Sequence, residues 1–365
     1  MNRCGKWIFG AMATVILMIG MICQAETAAA KDDVVTLRFS SHMSPTNRQV
    51  ANVVKPWAKM VEDESKGRIK FKVFAGGVLH GANDGFKAAG TADITDFTHA
   101  YPSYVPGNFY LNHGTGLPFL YPNAYVGSLV CEELYNQYLK KEYEGMGVYL
   151  MSYQVTANYQ IVTRSKPVKT LEDLKGLKIR SAGGLANDFL VSVGAIPVAL
   201  PAVEAYSALQ TGLLDGVLTN AIDIISNRLY EITKYMTVTD ATTVPVATCM
   251  NKKTFNALPK DLRLLVYNNN RKYPQIMAEA YEKGVMEDVK KTGMTVVTLS
   301  DKEKARFTEA AKKLEDKFIA DNEAKGLPAK AFMKDLRTLV KKYEKWTPEQ
   351  IWEKVTKNPV QGIND

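Results

Sequence analysis

At 365 residues the chain exceeds the roughly 250 to 300 residues that one hydrophobic core serves, so two domains are expected. Hydrophobic residues make up 46% and charged residues 23%, which excludes a largely disordered or collagen-like chain. The net charge of +8 is carried by lysines interleaved with acids, as over 302–317. That pattern is a solvated helix face with a mild pull on anions, and it excludes nucleic acid as a partner.

The first 30 residues read as a secretory signal: Arg3 and Lys6, an uncharged apolar run over 7–22, then Ala28, Ala29 and Ala30. The run is shorter than the roughly 20 residues a spanning helix needs, so cleavage after Ala30 and a periplasmic mature protein are expected. Cys23 follows the bulky Ile22, which argues against lipidation. Cys131 and Cys249 remain, either as a disulfide or as two buried thiols; spacing alone does not choose.

In chain order the mature part predicts a strand over 34–39, a helix over 56–65 and a strand over 69–74 with Ile69, Phe71 and Val73 on one face. A helix near 83–90, a short strand over 93–97, a Pro/Gly-rich loop, a helix over 125–144 and a strand over 147–153 follow. A second β/α series occupies 159–218, with strands over 159–163, 178–180, 197–200 and 216–218 and helices over 186–193 and 203–211. Strands over 236–239 and 245–250 come next, the latter returning toward the first domain. The remainder is helical: a long helix over 261–291 interrupted by Pro274, then helices opened by Ser300 with Glu303 and by Thr347 with Gln350. Alternation of this kind means parallel-rich sheets covered by helices. The expected division is 34–157 plus 243–285 against 158–242 plus 286–365, joined by two crossings that form a hinge.

The histidines His42, His80, His99 and His113 show no i to i+4 or Cys-x-x-Cys spacing, so no metal site is expected. There is no Gly-x-Ser-x-Gly, and Gly114-Thr115-Gly116 runs into Leu117-Pro118 rather than a helix start. Neither an enzyme nor a bound cofactor is expected.

One stretch is more specific: Lys166-Pro167-Val168, then Leu171-Glu172-Asp173-Leu174-Lys175-Gly176-Leu177-Lys178-Ile179-Arg180. Gly194-Ala195 with Pro197-Val198, then Glu204-Ala205-Tyr206-Ser207-Ala208-Leu209-Gln210-Thr211-Gly212 and Asp215-Gly216 follow in order, with Leu117-Pro118-Phe119-Leu120 and Asn251-Lys252 outside them. Together these blocks resemble the DctP-type solute-binding proteins of tripartite ATP-independent periplasmic (TRAP) transporters. The resemblance implies a two-domain α/β periplasmic-binding-protein fold with hinge strands, a ligand cleft between the domains and a long kinked helix bridging them. It also implies a small organic anion as ligand and the membrane subunits of a TRAP permease as partner, with the protein a monomer. The alternative is a sensor or scaffold module of the same fold.

The resemblance assigns Arg180 to the ligand's acid group. The residues agree: a guanidinium offers two parallel donors to a carboxylate or sulfonate, and Ser181-Ala182-Gly183-Gly184 beside it lets a ligand approach the backbone. Many members carry a second arginine where this chain has Gln160, so a monoanion, a monocarboxylate or alternatively a sulfonate, is expected. Members often carry a ligand-binding Asn where this chain has Thr219 with Asn220 next, and either of these is a candidate to hydrogen-bond the ligand. Further ligand candidates at the expected sheet edges are Ser181, Ser41 and His42, and Asp96, Phe97 and Thr98. His80 in a glycine-rich turn and Tyr159, as core or aromatic wall, complete the set.

Overall fold

The computed structural model describes residues 34–91 and 93–357. The expected signal segment and its cleavage point lie outside the described residues.

Two sheets organise the chain. The first has the order β2-β1-β3-β10-β4, with β1 (Val35–Ser40), β2 (Ile69–Phe74), β3 (Phe97–Ala100), β4 (Val148–Val155) and β10 (Pro245–Asn251). The second has the order β11-β9-β5-β8-β6-β7, with β5 (Gln160–Thr163), β6 (Lys178–Ser181), β7 (Ile196–Ala199), β8 (Gly216–Thr219), β9 (Tyr235–Val238) and β11 (Thr295–Thr298). β1 and β3 run parallel, as do β7, β6 and β8, so their carboxyl ends share an edge within each sheet. β10 is antiparallel to β3 and β4, and β5 is antiparallel to β8 and β9.

Besides the helical passage from Asn251 to Thr295, the chain crosses between sheets by two short segments, from Val155 to Gln160 and from Val238 to Pro245. The crossings are laced together: Tyr159 N–H donates to Thr242 O at 2.7 Å, Ala241 N–H to Tyr159 O at 3.0 Å, and Thr156 N–H to Val244 O at 3.1 Å. Such a ladder satisfies the buried backbone of both segments and makes them one structural unit.

Most elements fall where apolar periodicity puts them; the exceptions have physical causes. The expected strand over 93–97 is instead Phe97–Ala100. Asp96 ends the preceding turn, its carboxylate accepting Arg38 N–H at 2.8 Å and Arg38 Nε–H at 3.0 Å, and Ile94 is 41% exposed. The helix expected over 125–144 is Ala124–Leu134 and Lys140–Gly145 with a π-type turn, Tyr135–Leu139, between them. The long helix Lys260–Glu282 passes through Pro274, and the break comes at Gly284, whose φ of 70° suits glycine. Beyond it the helix Val285–Lys291 packs on Ala221–Ser226 of the second sheet's side, while Lys260–Glu282 lies on β4 and on the helix Ala124–Leu134. The last two helices, Ala329–Tyr343 and Pro348–Lys357, lie against Ala124–Leu134, and the final one also against Lys260–Glu282.

The first core is aromatic, with Phe39 stacked on Phe97 and Trp57 edge-on to Tyr273 at 5.5 Å. The capping box at Thr347 and Gln350 forms with both backbone-to-side-chain bonds, whereas at Ser300 only the cap forms, Glu303 N–H donating to Ser300 Oγ at 3.3 Å while the Glu303 carboxylate accepts from Leu171 N–H and Arg306. Cys131 and Cys249 are free, buried thiols, and burial raises the pKa of each. Among the described residues no helix is long and apolar enough to cross a membrane.

Candidate functional site

The carboxyl edges of the two sheets meet across a narrow cavity. Its wall comprises His42, Met43, Asn47, Gln49, Tyr101 and Tyr104 from the first side, Ala202, Val203, Asp223 and Asn227 from the second, and Thr156 and Tyr159 from the crossing. It has room for about one water-sized sphere, ≈ 10 Å³.

Arg180 lies just behind this wall, 1% exposed at the end of β6. Its Nε–H donates to Leu200 O at 2.7 Å and Nη2 donates to Tyr104 Oη at 3.5 Å, while the buried Nη1 has no partner. Its charge acts on His42, Tyr104, Tyr159 and Asp223, all four of them wall residues. The turn after it is held by Ser181, whose Oγ–H donates to Asn187 Oδ1 and which accepts Gly183 N–H at 3.0 Å. Gly183 and Gly184 have φ of 84° and 57°, and a Cβ on Gly183 would come 3.2 Å from Ser103 O across the interface. These glycines are the price of bringing the two edges together.

Asp223, on the helix Ala221–Ser226, faces the same cavity and is 4% exposed. Asn220 caps the helix, accepting Asp223 N–H at 3.0 Å through Oδ1. Asn220 Nδ2–H and Thr219 Oγ1–H each donate to Asp223 Oδ2 at 3.2 Å, which leaves Asp223 Oδ1 without a partner. Burial raises the Asp223 pKa; Arg180 and the two hydrogen bonds pull the other way. Arg180 and Asp223 do not form an ion pair.

On the first side His42 is 6% exposed, edge-on to Tyr101 and Tyr104, with Nδ1 unpartnered. Burial, with His80 and Arg180 adding, lowers its pKa to about 4, so it is a neutral imidazole. Tyr101 and Tyr104 stack at 5.0 Å with planes 23° apart.

The sequence candidates divide accordingly. Arg180, His42, Tyr159, Thr219 and Asn220 gather at the cavity or directly behind it, and Ser181 supports the turn. Gln160 is consumed by the crossing: its Nε2 donates to Asp240 Oδ1 at 2.7 Å and Asn158 O at 3.1 Å, and its Oε1 accepts Thr239 N–H at 2.8 Å and Asp240 N–H at 3.1 Å. Ser41 is buried and folds back on Met43 N–H. His80 Nε2 accepts from Ser40 Oγ–H at 2.7 Å and Thr98 Oγ1–H at 3.0 Å once its Nδ1–H donates to Gly81 O at 2.8 Å. Thr98 is thereby also engaged internally. Asp96 and Phe97 are corrected: with β3 displaced along the chain, they lie at its amino end, in the Arg38 ion pair and the aromatic core, away from the cavity. Tyr101 occupies the edge expected for them.

Sequence reasoning did not single out Asp223, Tyr101, Tyr104 or Gln49. Tyr101 and Tyr104 sit in the Pro/Gly-rich loop, and Asp223 stands three residues after a helix-capping Asn, where an acid reads as capping. Among the described residues no cluster of His, Cys, Asp and Glu suits a metal ion.

With this geometry in hand, comparison with known proteins is decisive. The family model for bacterial extracellular solute-binding proteins, family 7 (DctP), matches residues 39–322. The chain belongs to that family. This DctP-type solute-binding protein is 30% identical over 269 residues to a solute-binding protein of Albidiferax ferrireducens, spanning 72% of this chain and 78% of that one. It is 24% identical to the 2,3-diketo-L-gulonate-binding periplasmic protein YiaO of Escherichia coli, over 78% and 88% of the two chains. Among solved structures, the TRAP solute-binding protein of Rhodoferax ferrireducens with copurified benzoate superposes with a TM-score of 0.81 at 26% identity, covering 86% of this chain and 99% of that one. That of Bordetella bronchiseptica with bound (R)- and (S)-mandelate gives 0.78 at 29%, covering 84% and 99%. The fold is thus that of a TRAP periplasmic solute-binding protein, and the family's members bind organic acids for transport.

Proposed function

We propose that this chain captures a small organic acid, a monocarboxylate, in the cleft between its two sheets and delivers it to the membrane subunits of a TRAP permease. The observation that carries the reading is the buried Arg180, whose Nη1 keeps both charge and hydrogen-bonding capacity unused behind the cavity wall. A buried guanidinium without a carboxylate partner is costly and is matched by an anionic ligand. No second arginine supports a dianion, because Gln160 spends its amide on the crossing. Relatives that bind benzoate, mandelate and 2,3-diketo-L-gulonate place carboxylates within the family's range.

The cavity is too small for such an acid, so in this reading the ligand enters when the two edges part about the paired crossings, and closure buries it. The closed surface is what the permease meets.

The test is a thermal-shift screen of the purified protein against carboxylates, sulfonates, sugars and amino acids, repeated on Arg180→Ala. A carboxylate at 100 times its dissociation constant adds about 2.7 kcal/mol to stability. Acids that raise the melting midpoint of the parent and not of the variant support the reading; neutral sugars as the sole stabilisers would overturn it.

A further inference from the structure

The orphan atoms of the closed cleft carry more information than the arginine alone. Asp223 belongs to the wall, is 4% exposed and has Oδ1 unpartnered. Gln49 Oε1, on the opposite side of the same wall, is likewise unpartnered. An ionised carboxylate is an acceptor only, so Asp223 Oδ1 is completed by a donor and repelled by a second anion. Thr219 and Asn220 both direct their donors to Oδ2, which fixes the carboxylate and leaves Oδ1 for the cavity. Meanwhile Arg180, which forms no ion pair with Asp223, holds an unused donor in Nη1. The site thus separates a cation and an anion that elsewhere in a protein would neutralise each other. Tyr101, Tyr104 and Tyr159 share the wall with Asp223, and each feels its charge.

We infer that the cleft selects acids that also carry a hydrogen-bond donor near the carboxylate, a hydroxyl or an ammonium, with the acid group on Arg180 and the donor on Asp223. This rests on the reading of Arg180 as the acid's partner and adds the group that decides among acids. Thr219 and Asn220 are then positioning residues that act through Asp223. A featureless carboxylate would leave Asp223 Oδ1 buried and unpaired beside a new negative charge, the arrangement by which a polar site rejects an analogue that lacks one group.

Matched triplets differing only at the α-carbon test this: acetate, glycolate and glycine; propionate, lactate and alanine; phenylacetate, mandelate and phenylglycine. Titration calorimetry on the parent is expected to show, in the best-fitting skeleton, the hydroxy or amino acid binding about 10- to 100-fold tighter than the plain acid, the range of one charge-assisted hydrogen bond. The better of hydroxyl and ammonium names the donor. Asp223→Asn should shrink that ratio severalfold while the plain acid binds no more weakly, and Thr219→Val should shrink it less. Plain acids binding as tightly as their partners in every triplet, as they would if Asp223 carried a proton and donated it, overturn the inference and leave the Arg180 reading standing. An Arg180→Ala variant that retains affinity for the bound acids overturns the reading beneath it. Because the parent's own preference is measured, an Asp223 variant that failed to fold would not protect the inference.

Discussion

At the carboxyl edge of the first sheet Ser40, His80 and Thr98 satisfy one another, whereas at that of the second Arg180 and Asp223 each keep one polar atom unpartnered. Both edges are built from parallel strands followed by tight turns, and both bury their polar groups almost completely. The difference is what the polarity is for. A satisfied network rigidifies its own side, and an unsatisfied buried charge is tolerated where another molecule completes it. In the proposed reading the first side supplies a shaped aromatic wall, whose unpartnered His42 Nδ1 and Gln49 Oε1 belong to neutral groups, and the second supplies charge.

Breaking the second side should have the largest effect on binding. Arg180→Ala is expected to cost on the order of 2 to 5 kcal/mol of affinity for the best acid found in the screen, as for truncating a buried charge-paired contact. His80→Ala, which opens the Ser40–Thr98 network, should instead lower the melting midpoint and leave the affinity within about threefold, since it removes satisfied internal bonds. Calorimetry and thermal denaturation on the two variants read this crossed pattern; a His80 variant that lost binding as heavily as the Arg180 variant would erase the distinction.

The first side also makes the protein acid-sensitive. His42 has its pKa lowered to about 4 in the fold against 6.5 unfolded, by burial first and then by His80 and Arg180. The unfolded chain therefore takes up the proton first as pH drops. The stabilisation is fully present above about 6.5 and is lost as pH falls toward 4, up to about 3 kcal/mol. Urea unfolding at pH 7.5 and pH 4.5 measures it, and His42→Asn should flatten that part of the slope. No change between parent and variant would mean that His42 is hydrated in solution.

Between the two edges lies the crossing, and Gln160, the first residue of β5, sharpens the comparison because its side chain is taken up by the crossing rather than by the cavity wall. Its amide engages both crossing segments, including the turn at Asp240, where φ is 45°. Gln160→Ala should cost about 1 to 3 kcal/mol of stability through unpaired buried groups, read as a lower urea midpoint, while the preference among acids stays as in the parent.

The same contrast explains what could be read from the sequence. The alternating apolar pattern of Ile69–Phe74 and the caps at Ser300 and Thr347 are local signals, and they hold. Arg180 is singled out through the resemblance carried by the block over 166–180, with the Gly183-Gly184 turn in agreement; residue type alone points first to a structural salt bridge. Asp96 misled because Ile94 looks like strand interior, yet the turn that exposes it is fixed by Arg38, 58 positions away. Asp223 was illegible for the opposite reason: at three residues past Asn220 an acid is ordinary capping chemistry, and only the folded positions of Arg180 and Tyr104 make it part of a cleft.

The smallest effect is expected at the one hydroxyl through which the first side touches the charge of the second. Tyr104 Oη meets Arg180 Nη2 at 3.5 Å and Ala202 N–H at 3.4 Å, both long for hydrogen bonds, while its ring is held by Tyr101 and His42. Tyr104→Phe preserves the ring packing and removes only these weak bonds, so affinity should change by less than about 1 kcal/mol, roughly fivefold. Because the guanidinium loses a partner as the cleft loses a bridge, the two consequences oppose each other and either sign is compatible with a small change. A loss beyond tenfold in calorimetry would show that the first side grips the ligand through Tyr104, and the division between a shaping side and a charged side would have to be redrawn.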